Sequence, residues 1–186
     1  SRVASISKAF VSSVAGGNAI IVGVGTYDNA IGTNQVSDNQ SNSYTRDITI
    51  GPGNPGSSKV YSAIFRSVNV IGGSVTITFT PPAADYCNMS QQEASGIATS
   101  SALDVTGTGT GNSNDITTGN FTTNDADLIF GFAVLSSATG SWTLGSGYSL
   151  VFSVITDGAH CGEYKIMSAG TYVANMTVTG GPYWAV

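Results

Sequence analysis

Residues 74–80 read Ser-Val-Thr-Ile-Thr-Phe-Thr. Apolar and hydroxyl side chains alternate without a break. A period of two places Val75, Ile77 and Phe79 on one face of an extended chain and the threonines on the other. Gly72-Gly73 turns the chain before this stretch, and Pro81-Pro82 ends it. It is a half-buried β-strand, and the neighbouring sequence repeats its logic. Residues 59–66 (KVYSAIFR) and 43–50 (SYTRDITI) alternate. Residues 19–24 (AIIVGV) form a nearly continuous apolar run, the signature of a central buried strand. Residues 6–14 read as the first strand and 86–94 as a strand carrying Cys87. Downstream, 127–135 (DLIFGFAVL), 148–155 (YSLVFSVI), 162–168 and 171–179 continue the pattern, and 183–186 make a short last strand.

No segment holds a 3.6-residue period over two turns. Turn residues recur about every 8–12 positions, as in sandwiches and jelly rolls. The expected fold is all-β: a single antiparallel β-sandwich, jelly-roll-like, of about ten short strands, with residues 1–186 as one domain. The sequence shows no internal repeat and no linker that would split the chain.

Composition narrows the class of protein. Gly, Ser, Thr and Asn supply 83 of the 186 residues, and only 17 carry a charge. The formal net charge is −5, and the six Lys and Arg are scattered. A nucleic-acid binder needs a basic stripe, which is missing. No apolar run approaches the roughly 20 residues of a membrane-spanning helix. The two cysteines, Cys87 and Cys161, are an even pair in a low-charge chain and are expected to form one disulfide in an oxidising compartment. The alternative is two buried thiols acting as small apolar groups.

Three stretches together resemble a known type of domain. They are Gly17-Asn18-Ala19-Ile20-Ile21-Val22 with Val36-Ser37-Asp38-Asn39 and Asn42-Ser43-Tyr44-Thr45; then Leu103-Asp104-Val105-Thr106-Gly107; then Asp127-Leu128-Ile129-Phe130-Gly131 with Gly145-Ser146-Gly147-Tyr148. Their order resembles a β-sandwich domain of uncharacterised function that recurs in secreted and surface proteins of environmental bacteria. The resemblance implies an extracellular or cell-surface setting and no transferable activity.

The search for chemistry returns little. His160 is the sole histidine, so any Ser–His–Asp or Cys–His device must use it, and no G-x-S-x-G elbow is present. Asp125 with Asp127, or Glu93 with Glu163, are the carboxylate pairs available for glycoside hydrolysis. Asp38-Asn39 and Asn124-Asp125-Asp127 offer oxygen ligands for a structural calcium ion, without the spacing of a defined calcium loop. For a carbohydrate, Trp142 in a turn-rich setting and nearby Tyr148 are the candidate stacking residues.

The expected function is therefore non-catalytic. The chain reads as a secreted structural subunit that self-associates through sheet-edge contacts in an extracellular or cell-surface filament or sheath. The contacts are expected at residues 2–14 and 180–186, with Ile6, Phe10, Tyr183 and Trp184 as the contacting side chains. The alternative is a carbohydrate-binding or adhesion module of a larger secreted protein, with polysaccharide as the partner.

Overall fold

The computed structural model describes residues 1–53, 59–137, 140–155, 158–180 and 183–186. Residues 181 and 182 of the expected terminal contact segment lie outside these. The described residues contain no helix. They form seventeen strands in five sheets, antiparallel throughout. The all-β, antiparallel expectation holds, but one sandwich of about ten strands is replaced by four stacked layers.

The first half supplies seven strands: β1 (Ile6–Ala9), β2 (Ala19–Thr26), β3 (Val36–Asp38), β4 (Thr45–Ile50), β5 (Tyr61–Ser67), β6 (Thr76–Phe79) and β7 (Cys87–Ala94). They form an outer sheet in the order β1-β6-β3 and an inner sheet in the order β4-β5-β2-β7. Ile20, Val22 and Val24 of β2, Phe65 of β5 and Ile77 and Phe79 of β6 meet between the two sheets and close the first core. Ile77 and Phe79 are the apolar face read from residues 74–80, and both are fully buried.

The second half supplies β8 (Thr110–Gly111), β9 (Asp115–Thr117), β10 (Phe121–Thr123), β11 (Asp127–Leu135), β12 (Trp142–Thr143), β13 (Ser149–Val154), β14 (His160–Met167), β15 (Gly170–Tyr172), β16 (Asn175–Val178) and β17 (Trp184–Ala185). Its inner sheet runs β13-β14-β11-β17-β8 and its outer sheet β12-β16-β9, with β10 and β15 as a separate ribbon. Ile116, Ala133, Leu135, Met176, Val178 and Trp184 close the second core.

The strand order of the first half recurs in the second. Matching β1, β2, β3, β4, β5, β6 and β7 to β9, β11, β12, β13, β14, β16 and β17 reproduces both the three-stranded and the four-stranded order. The repeat lies in topology, so a search for repeated residues passes over it.

The two inner sheets pack face to face. Gly23 and Gly25 of β2 lie against the side chains of Phe132 and Val134 of β11. Val60, Phe132, Val134 and Ala185 are buried at this junction. β2 is thus covered on both faces, which explains its continuous apolar run. Its even residues enter the first core, and its glycines admit the second sandwich.

Candidate functional site

The expected disulfide is not formed. Cys87 and Cys161 are free thiols. Cys87 packs against the first core, whereas Cys161 is buried in the second. The two inner sheets stand between these cores, so the sulfurs face away from each other. Burial pushes both thiols up to about 12, with Asp85 adding to the rise at Cys87 and Glu163 at Cys161. Neither is primed as a nucleophile.

His160 is buried between Phe132 and Phe152, and its Nδ1 is paired with the Gly158 carbonyl at 2.8 Å. Burial lowers its pKa, which favours the neutral ring. Among the described residues, no side-chain hydroxyl or thiol is in hydrogen bond with it, so these residues do not assemble a triad.

The carboxylates are occupied separately. Glu93 accepts the Ala15 amide at 2.7 Å and the Asn18 side-chain amide at 2.6 Å. Glu163 is fully buried in the second sandwich and accepts the Gly145 amide at 3.1 Å. Asp38 accepts from the backbone of Gln40 and Asn42 and from the Tyr44 hydroxyl, which uses its oxygens within its own turn. Among the described residues, no group of three His, Cys, Asp or Glu side chains is placed to hold a metal ion. Asp85 is a buried carboxyl group that sequence reading missed. It accepts the amides of Asp28 and Asn29 at 3.0 and 2.9 Å and of Tyr86 at 2.7 Å, and so fixes the chain after β2.

Among the described residues, two concave sites stand out. The first is a cleft of about 140 Å³ beside β11. Ile21, Ile48 and Ile64 of the first inner sheet form one wall, and Leu128 to Phe132 of β11 form another. The connecting segment Leu103 to Gly107, one of the stretches behind the resemblance, forms the third. Its polar rim holds the Arg66–Asp47 ion pair, a two-pronged contact at 2.9 and 3.0 Å, and the carboxyls of Asp104 and Asp127. Burial raises the Asp127 pKa, and the neighbouring Asp104 raises it further. Thus one expected pair partner, Asp127, meets Asp104 in space, a contact that sequence spacing does not reveal.

The second site is an open polar hollow of about 360 Å³ lined by Tyr148, Tyr172, Lys165, Asn120 and Asn175. The Tyr148 hydroxyl donates to the Val173 carbonyl at 3.1 Å, and Lys165 donates to the Ser146 carbonyl at 2.9 Å. Tyr148 therefore lies in a concave setting. Trp142 does not join it. Its ring is half-buried against the second core, and its indole N–H donates to the Val154 carbonyl at 3.0 Å. The sequence places Trp142 among turn residues but cannot show that the turn packs inward.

The expected assembly residues differ in exposure. Ile6 and Phe10 pack against the first core. Trp184 is buried in β17, which is flanked by β11 on one side and β8 on the other, so it is not an edge strand. Tyr183 alone of the four is exposed. β1, which carries Ile6, is outermost in its three-stranded sheet, and β13 is outermost in the second inner sheet.

Among the described residues, no helix is long and apolar enough to cross a membrane. No protein-family model, curated protein or solved structure matches this chain.

Proposed function

We propose that this protein is a non-catalytic structural subunit that self-associates through sheet-edge contacts in an extracellular or cell-surface filament or sheath. The observation that carries this reading is the outer edge of β13. From Ser149 to Ile155 the chain carries no charge and no proline. Leu150, Phe152 and Ile155 are exposed large apolar side chains there. The strand is outermost in its sheet. Edge strands in natural proteins are normally blunted by charge, proline or cover, because bare edges recruit other chains. A bulge between Leu150 and Phe152 and the Lys8 ammonium over the Phe152 ring are the guards present. By contrast, β4 at the far edge of the first inner sheet carries Arg46 and Asp47.

Particle size by light scattering and electron microscopy tests the reading. Wild type is expected to form multimers, and Leu150→Lys is expected to shift them toward monomer without lowering the melting temperature. A wild-type protein that stays monomeric at every accessible concentration overturns it.

A second reading, polysaccharide binding, is favoured by the Tyr148–Tyr172 hollow with its amide and ammonium donors. Tyrosine faces and amide donors are the groups that sugars use. A monomeric particle retained on polysaccharide would move the assignment to this reading.

A further inference from the structure

Among the described residues, Lys165 is the one charged side chain lining the Tyr148–Tyr172 hollow. Its ammonium is held in place. It donates to the Ser146 carbonyl at 2.9 Å and lies 5.5 Å from the centre of the Tyr148 ring. The turn beside it leaves room for it. Gly147 has a φ of +76°, and a Cβ there would stand 2.8 Å from the ammonium nitrogen. A side chain at 147 would strain the backbone and press on the charge. The Tyr148 and Tyr172 hydroxyls donate to the Val173 and Ser168 carbonyls, which fixes both rings at the hollow.

Among the described residues, Lys165 makes no ion pair, and no Asp or Glu lines the hollow. Arg2 and Arg66, by contrast, pair with Asp28 and Asp47. Glu163 on the same strand feels the ammonium, which lowers its pKa, but burial prevails and holds it at about 7. Near neutral pH that carboxyl is about half protonated, so it offsets the ammonium only in part. An ammonium has three donors. Ser146 takes one, and the others are left for a ligand.

We propose that this hollow selects an acidic sugar, a uronic acid residue of a polysaccharide whose carboxylate accepts from the Lys165 ammonium while Tyr148 and Tyr172 supply the ring contacts. The proposal rests on the polysaccharide reading above and adds the charge of the ligand to it. Charge complementarity carries the choice. The chain's net charge is −5, so an acidic ligand is disfavoured wherever no local cation receives it. Here one is fixed and unpaired. A compact, strongly hydrated ammonium suits a compact carboxylate. The amides of Asn120 and Asn175, which also line the hollow, suit the hydroxyls of the same sugar.

The test is titration of the intact chain, at low ionic strength, with tetragalacturonate and with its methyl ester, the same sugar without the charge. Calorimetry reads affinity, and proton resonance reads the Tyr148 and Tyr172 rings. The acid is expected to bind about fivefold more tightly than the ester, the size of a partly exposed ion pair, and to shift both ring signals. Lys165→Gln should bring the two ligands level, whereas Lys165→Arg should keep the preference. Equal binding of acid and ester by the wild type would overturn the acid preference and leave polysaccharide binding standing. Binding of neither, up to ligand solubility, would remove both. A preference that survives in Lys165→Gln would overturn the assignment to this ammonium.

Discussion

Glu163 holds its carboxyl wholly inside the second sandwich, beside Cys161 and under the Gly145 turn. Burial pushes its pKa from an ordinary 4.5 up to about 7, against the opposing pull of the Gly145 and Asn175 amides. The folded state thus holds a proton that the unfolded chain releases. Between pH 4.5 and 7 the folded protein binds more protons, so stability falls as pH rises through that window. Above it the full cost, on the order of 2–3 kcal/mol, is in place. Glu163→Gln keeps the shape and removes the charge. It is expected to raise the melting temperature at pH 8 by about 5 °C and to flatten the dependence between pH 4.5 and 7. Thermal unfolding of both proteins across that range is the measurement. An unchanged slope in the variant would remove Glu163 as the cause. Asp85 shows the other way to bury a carboxylate. Its oxygens are surrounded by the amides of Asp28, Asn29 and Tyr86, which satisfy them with hydrogen bonds. Neither role is visible in sequence, because Gly145 lies 18 residues from Glu163, and Asp28 and Asn29 lie 57 and 56 residues from Asp85.

At the scale of elements, what was legible followed from local pattern. The alternation of residues 74–80 places Val75, Ile77 and Phe79 inside, and all three are buried. The apolar run of β2 marks a strand covered twice. What the sequence hid is the second cover, since Gly23 and Gly25 read as weak points in a strand. In the structure they admit Phe132 and Val134. A methyl group at Gly23 would overlap the Phe132 ring, which is wedged between two sheets and has little room to retreat. Gly23→Ala is therefore expected to destabilise by about 1–3 kcal/mol, although alanine suits a strand at least as well as glycine does. Denaturant unfolding checks this, and pairing the change with Phe132→Leu should recover part of the loss. Full stability in Gly23→Ala alone would mean that the junction is loosely packed. The candidate sites were less legible for a related reason. Trp142, Ile6, Phe10 and Trp184 look available in sequence, yet packing direction decides availability. Tyr148 and the exposed Leu150 and Phe152 differ from them only in which way the strand faces.

The whole molecule is two sandwiches of one topology joined back to back. Each has its own core, so each has the means to form a separate folding unit. The junction argues against independence. Phe132, Val134, Ala185 and Val60 are almost wholly buried there, and Ser62 donates from the first inner sheet to the Phe132 carbonyl at 3.2 Å. Separating the halves would expose that apolar surface and orphan Ile21 and Ile64 beside the cleft. Burial of a large apolar side chain contributes about 1.5–3 kcal/mol, so a junction of this make-up couples the halves by an amount comparable to the stability of a small domain. The chain is expected to unfold in one transition. Both tryptophans, Trp142 and Trp184, belong to the second sandwich, so their fluorescence reports that half alone. Amide exchange of β2 reports the first. Coincident midpoints for tryptophan fluorescence and for β2 protection are the expected result, and Phe132→Ala should move both together. A tryptophan transition that precedes loss of β2 protection would show that the second sandwich opens alone. The junction would then be a docking surface between two domains rather than a shared core.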